Sequence, residues 1–244
     1  MKGNRNLRRM LLALLAIGGL VALAMAAPAL HLIDNRAFRL FASGRPNREV
    51  AAVLFSGDMG LRLGMGPKVA PALAAHGIPV LGVSSSVEFG THRTQAEAEV
   101  IVANAIRTAL RDTGARRVVL LGQSFGADVL AATAPYLPPD LKQRVAAIAL
   151  VVPGRDVFLR ADPTGLSYHG VPDVQPAAAL RALDWAPVIC IRGASEPESL
   201  CPALDATRAD VITLPGGHFL RNDHKLLTAT ILRALARARP SIVA

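Results

Sequence analysis

The chain has 244 residues, of which 52% are apolar, 18% charged and 4% aromatic, and its formal net charge is +9. That apolar content excludes a disordered chain, and the length is enough for one sizeable core. Four of the cations, Lys2, Arg5, Arg8 and Arg9, precede the first apolar run, and no dense Lys/Arg stripe with interleaved aromatics follows. The composition therefore argues against nucleic acid as a partner and leaves an anionic lipid surface open.

Met10 to Ile33 carries no Asp, Glu, Lys or Arg. A basic stretch followed by an apolar one reads residues 1–26 as a signal peptide, with Ala24-Met25-Ala26 as the small-x-small cleavage site. The alternative is an uncleaved anchor, since an apolar run of ~20 residues can span a bilayer. The positive flank keeps the N-terminus cytoplasmic in both cases. Both put the body, residues 34–244, in the periplasm.

The body reads as alternating strands and helices. Strand-like runs are Val50–Phe55, Pro79–Ser84, Arg117–Gly122, Val145–Val152, Val188–Arg192 and Val211–Leu214. Several, such as Val118-Val119-Leu120-Leu121, are continuously apolar, which marks strands buried on both faces of a parallel sheet. Helices are expected around Pro67–His76, Thr94–Thr113, Gly126–Tyr136 and Asn222–Arg239. In the second of these, Thr94 and Glu97 form a T-x-x-E capping box, and Ala98, Ile101, Val102, Ala105, Ile106, Ala109 and Leu110 recur at helical spacing up to Gly114. The pattern predicts one α/β domain with a doubly wound, mostly parallel sheet flanked by helices. Residues 153–187 break the alternation and read as an irregular insertion over the sheet.

Gly122-Gln123-Ser124-Phe125-Gly126 follows an apolar strand and opens a helical stretch. G-x-S-x-G between a strand and a helix is the context of the nucleophile elbow of α/β-hydrolases. A serine hydroxyl needs a neighbouring base to take its proton, and in this fold the chain order is Ser, acid, His. Of the six histidines, His169, His218 and His224 follow Ser124. His218 stands in Leu214-Pro215-Gly216-Gly217-His218-Phe219, just past the last strand, where the base belongs. His169 comes too early, and His224 lies inside a helical pattern. The acid should follow Val188–Arg192, and Glu196 fits strand-Gly-x-x-acid, with Glu198 as runner-up. Asp156, after Val145–Val152, is the remaining alternative. Backbone N–H groups of Phe125 and of Asp58 or Met59 are the expected oxyanion donors.

Cys190 and Cys201 are the only cysteines. In an exported chain two cysteines suggest one disulfide, worth roughly 3 kcal/mol for a loop of about 12 residues, and this one would brace the loop carrying Glu196. Two free buried thiols are the alternative. No second Cys/His pair sits at ligand spacing, so neither metal nor cofactor is expected.

Gly122-Gln123-Ser124-Phe125-Gly126-Ala127-Asp128-Val129 resembles the signature of the VirJ/AcvB family of exported bacterial virulence proteins. Ser56-Gly57-Asp58, the Cys190–Cys201 segment and Leu214–Phe219 support the resemblance, which spans roughly residues 50–235. It implies an α/β-hydrolase fold, with Ser124 as nucleophile, His218 as base and Glu196 as acid. It also implies hydrolysis of aminoacyl-phosphatidylglycerol, such as the lysyl or alanyl ester, and for some members a link to secretion-system proteins. Met59-Gly60-Leu61 stands where the family tends to have Gly-Gly-Trp after the aspartate. Asp58 and Asp128 could pair with the ammonium of an aminoacyl ester. Equally, Asp128 could serve the N-terminus of its own helix and Asp58 its own turn. A general small-ester esterase and a non-catalytic module binding a secretion partner are the competing readings.

Overall fold

The computed structural model describes residues 2–46, 48–204 and 209–242. The chain runs α1 (Lys2–Ala26), β1 (Phe38–Phe41), β2 (Val50–Phe55), α2 (Gly66–Ala75), β3 (Val80–Val83), α3 (Ser85–Glu88), α4 (Gln95–Thr113), β4 (Arg117–Gln123), α5 (Phe125–Thr133), α6 (Pro139–Lys142), β5 (Val145–Val151), α7 (Ala177–Ala182), β6 (Val188–Gly193), β7 (Ala209–Leu214) and α8 (His224–Ala238). Short 3-10 turns join several of these.

The strands form one seven-stranded sheet in the order β1-β3-β2-β4-β5-β6-β7. All neighbours are parallel except β1, which pairs antiparallel with β3. The expected fold class is therefore observed. The addition is β1, a four-residue edge strand that alternation did not reveal. Its Arg39 and Leu40 are exposed, so its sequence carries no buried run.

Period-two alternation along the strands sorts their side chains onto two covered faces. Val53, Phe55, Val118, Leu120, Ile148 and Leu150 pack with Val102 and Ile106 of α4 and Val129 and Leu130 of α5. Leu54, Val119, Leu121, Ala149 and Ile191 face Val69 and Leu73 of α2 and Leu227 and Ile231 of α8. Leu120 is fully buried, and Leu120→Ala would cost about 2–5 kcal/mol. The α4 ends are built as expected, with the Thr94–Glu97 capping box and Gly114 at φ 66°. Asp223 caps α8 by accepting the Leu226 N–H, so the helix starts at His224, two residues into the predicted stretch.

Successive connections lead to β3 on one side of β2 and to β4 on the other. This reversal of winding opens a crevice at the carboxyl ends of β2 and β4, the usual place for a site in a doubly wound sheet. Register pairs Phe55 with Gly122, and Gln123 with Val151, so the residues that follow these strands emerge together.

Candidate active site

Ser124 sits between β4 and α5 with φ 52° and ψ −126°. A side chain held there stores about 1–3 kcal/mol of strain. Its N–H donates to the Val151 carbonyl at 2.8 Å, and its own carbonyl accepts the Ala127 and Asp128 N–H groups. The flanking glycines make this turn possible. A Cβ on Gly122 would meet the backbone of Gly126 and Ala127, and one on Gly126 would meet the carbonyls of Phe55 and Ser56. Phe125 is the first residue of α5, so its N–H has no carbonyl one turn back and faces the end of the helix.

The turn after β7 brings His218 to this serine. Ser124 Oγ and His218 Nε2 are 2.7 Å apart. Gly216 takes φ 99°, and Leu220, Arg221 and Asn222, which follow Phe219, are all left-handed at φ 47°, 54° and 56°. That winding drives Leu220 into the core and turns Phe219 outward, its ring edge-on to the His218 imidazole at 5.7 Å.

Glu196 lies in the turn after β6, and its Oε1 is 2.6 Å from His218 Nδ1. Its other oxygen accepts the Gly193 N–H at 3.1 Å. The two turns are laced together, with Ala194 N–H to the Leu214 carbonyl and Ser195 N–H to the Gly216 carbonyl, each 2.9 Å. Glu198 points elsewhere. It is exposed and pairs with Arg155 Nη2 at 3.0 Å. Asp156 lines the cleft but accepts from Gln175 Nε2 at 2.7 Å, while His218 Nδ1 is paired with Glu196. His169 lines the cleft wall, while His224 begins α8. Cys190 and Cys201 form a disulfide with Cα atoms 5.5 Å apart, both fully buried beneath the Glu196 loop.

The loop after β2 forms the near wall. An added Cβ on Gly57 would lie 3.7 Å from Ser124 Cβ. Ser85 ties this loop down, its N–H donating to Ser56 Oγ and its hydroxyl to the Ser56 carbonyl. Asp58 and Met59 both line the cleft. Burial pushes the Asp58 carboxyl up, opposed by a hydrogen bond from Tyr168, the His218 charge and the Met59 N–H. The Met59 N–H is thus turned to its neighbour's own carboxyl.

Asp128, one turn into α5, accepts the Gly154 N–H at 2.7 Å. Burial, and less strongly Asp58 and Glu196, push it up to about 7 against the Gly154 bond and His218. His218 is raised, chiefly by its hydrogen bond to Glu196 and then by the Glu196, Asp128 and Asp58 charges, while burial lowers it.

Residues 154–170 supply the roof, in a segment that is irregular up to α7, and from this stretch the sequence offered only Asp156, as an alternative acid. Tyr168 stacks on Phe125 at 6.4 Å, and its hydroxyl lies 3.4 Å from Asp58 Oδ2. The Asp162 N–H donates to that hydroxyl, and the buried Asp162 carboxylate accepts from Thr164 and Ser167. The only available signal was a lone tyrosine in a stretch without periodicity. Together these walls enclose a cleft of about 670 Å³ with Ser124 and His218 on its floor. Among the described residues no cluster of three His, Cys, Asp or Glu could hold a metal ion.

Comparison with known proteins agrees with this architecture. The family described as bacterial virulence protein (VirJ) matches residues 49–239. No curated protein matches in sequence. Among solved structures, the α/β hydrolase GrgF from Penicillium sp. sh18 superposes with a TM-score of 0.62 at 14% identity, covering 82% of this chain and 92% of that one. Est1E from Butyrivibrio proteoclasticus gives 0.59 at 12% identity, over 82% and 93%. A serine hydrolase homologue from Coxiella burnetii gives 0.59 at 15%, over 82% and 91%. At these identities the likeness is one of fold, that of the α/β hydrolases.

Proposed function

The chain belongs to the VirJ family of bacterial virulence proteins, and from that premise we propose that it is an exported serine esterase cleaving the aminoacyl ester of an anionic phospholipid such as phosphatidylglycerol. The observation that carries the reading is the hydrogen-bonded series Ser124 Oγ, His218, Glu196 at the strained elbow. Ser124 Oγ attacks the acyl carbonyl while its proton passes to His218 Nε2. Glu196 holds the imidazole tautomer and stabilises the imidazolium. The Phe125 N–H, with that of Asp58, receives the oxyanion, each donor being worth ~3 kcal/mol; the Met59 N–H is taken by the Asp58 carboxyl. His218 then protonates the departing glycerol oxygen, and a water deprotonated by His218 releases the amino acid from the acyl-enzyme.

The electrostatics of the cleft favour a cationic acyl group. Asp58 and Asp128 are both raised by burial, and the chief opposing influences on them are hydrogen bonds and His218, not a Lys or Arg. An ammonium beside the scissile carbonyl would supply the missing positive charge, and burial would strengthen the attraction. Tyr168 holds Asp58 in position for it. Export fits the disulfide and α1, whose Asn6–Ala26 stretch has mean hydropathy 2.2 and no buried part, as either a cleaved signal or an anchor. The periplasmic face of the inner membrane is the proposed place of action.

The test is purified protein with lysyl- and alanyl-phosphatidylglycerol, scored by release of the free amino acid. Release that Ser124→Ala abolishes supports the reading. No release, together with failure to label Ser124 with a fluorophosphonate, would assign the fold to binding a secretion partner instead.

A further inference from the structure

The mouth of the cleft is rimmed with exposed apolar side chains. Leu63 follows β2, Phe219 follows His218, and Leu166 and Val171 flank the Tyr168 segment, with exposures of 54%, 65%, 52% and 93%. Leu63 and Phe219 border one hollow with Ser124, and Tyr168 and Gly170 line the cleft itself. Leu30 and Leu32, also exposed, lie in the connection from α1. Outside α1, only Leu40, Val100 and Tyr136 complete the set of exposed large apolar side chains among the described residues. An apolar surface gathered at one end of a domain marks an interaction site.

The chain's own path says what covers it. The segment leaving α1 packs on the same end of the sheet. A Cβ on Gly90, past β3, would press on Pro28 and Ala29, and Asp34 accepts the Leu61 N–H of the loop after β2. Extended, residues 27–34 could span at most about 28 Å. A domain of this size is roughly 43 Å across, so with α1 kept as an anchor this tether cannot bring the opposite end to the membrane. That opposite end carries Arg48, Arg116, Arg117 and Arg144, a surface that on charge alone would compete for anionic lipid. Exposed Arg62 and Arg221 stand beside Leu63 and Phe219, so the rim offers cations as well as apolar groups.

We propose that this rim is a membrane-docking face, which seats the cleft mouth in the headgroup layer of an anionic bilayer. The cleft would then take its ester from the leaflet without the lipid leaving it. The inference rests on the lipid-ester reading above, which gives the cleft its reason to face the membrane.

The native Trp185 is the only tryptophan and lies just before β6, at the far end of the sheet. It serves as an internal reference. The full chain is reconstituted in nanodiscs of phosphatidylcholine and phosphatidylglycerol, with or without brominated acyl chains. Val171→Trp and, separately, Leu63→Trp should add emission that is blue-shifted and quenched by the brominated lipid, while the parent, with Trp185 alone, should not be quenched. Quenching of Trp185 but of neither new tryptophan would overturn the proposal. So would a concentration-dependent blue shift in detergent without lipid, which would give the rim to a second copy of the chain. Hydrolysis of a water-soluble aminoacyl ester by the same preparations, lost in Ser124→Ala, reports on the catalytic reading separately, so either idea can fail alone.

Discussion

His218 Nδ1 stands 2.6 Å from Glu196 Oε1, while the second oxygen of that carboxylate accepts the Gly193 N–H at 3.1 Å. The acid is thus fixed to the end of β6 by the same group that orients the base. Glu196→Gln should lower kcat/KM by about 10³–10⁴-fold, because an amide favours the wrong imidazole tautomer. Glu198→Gln should stay within a few-fold, since that side chain pairs only with exposed Arg155. Comparable losses in steady-state kinetics for the two variants would remove Glu196 from this role.

The backbone at Ser124 makes a second prediction. Ser124→Ala should abolish turnover to a residual level, since the serine and histidine act as a unit. Its φ of 52° still strains an alanine. Ser124→Gly should be equally inactive but more stable than Ser124→Ala by about 1 kcal/mol, because glycine adopts that conformation freely. Urea denaturation midpoints of the two variants decide it.

In the proposed mechanism His218 must be neutral to accept the serine proton, and its hydrogen bond to Glu196 raises its pKa above the ordinary 6.5. The acidic limb of kcat/KM against pH should therefore lie above 6.5. In Glu196→Gln it should move to lower pH, since the largest cause of the shift is gone. The stability His218 contributes is full below its unfolded pKa and is lost as pH rises through the folded value.

Asp128 is also raised, to about 7 from 3.8. Its sign is the same: the folded state is favoured at low pH, and that advantage is lost between about pH 4 and 7, where the carboxyl of the unfolded chain ionises while the buried one keeps its proton, and the loss levels off above about 7. Asp128→Asn keeps an acceptor for the Gly154 N–H and removes the charge. It should leave stability near pH 4 unchanged and raise it at pH 8 by about 2–4 kcal/mol. Thermal unfolding at the two pH values is the measurement, and equal shifts at both would show that Asp128 is not raised.

The sheet was legible because β2, β4, β5 and β6 are buried on both faces and so carry unbroken apolar runs. The edge strand β1 was not legible, because Arg39 and Leu40 face solvent and four residues cannot carry a pattern. Gly122, Ser124 and Gly126 could be read because backbone crowding at the elbow admits so few residue types. Glu196 and Glu198 could be ranked by spacing alone, but only the fold brings one to His218 and the other to Arg155. Tyr168 was beyond reach: its contacts with Phe125 and Asp58 depend on how an aperiodic segment closes over the sheet, and no local rule encodes that.

The last prediction couples the disulfide to turnover. Cys190 lies inside β6, and Cys201 lies past Glu196, at a sequence separation of 11. The bridge therefore closes the loop that carries the acid, with Leu200 N–H also tied to the Pro153 carbonyl at 2.8 Å. Removing the bridge should cost roughly 3 kcal/mol of stability by loop entropy. It should also loosen Glu196, and a site of this kind tolerates only about half an ångström of drift. A Cys190→Ala/Cys201→Ala double variant should then turn over more slowly per folded molecule, counted by active-site titration of Ser124. The defect should resemble a partial Glu196→Gln, with the acidic limb of the pH profile displaced downward. Full turnover per titrated site would mean that the lacing of the Glu196 turn to Gly216 and Leu214 is sufficient, and that the disulfide stabilises the fold alone.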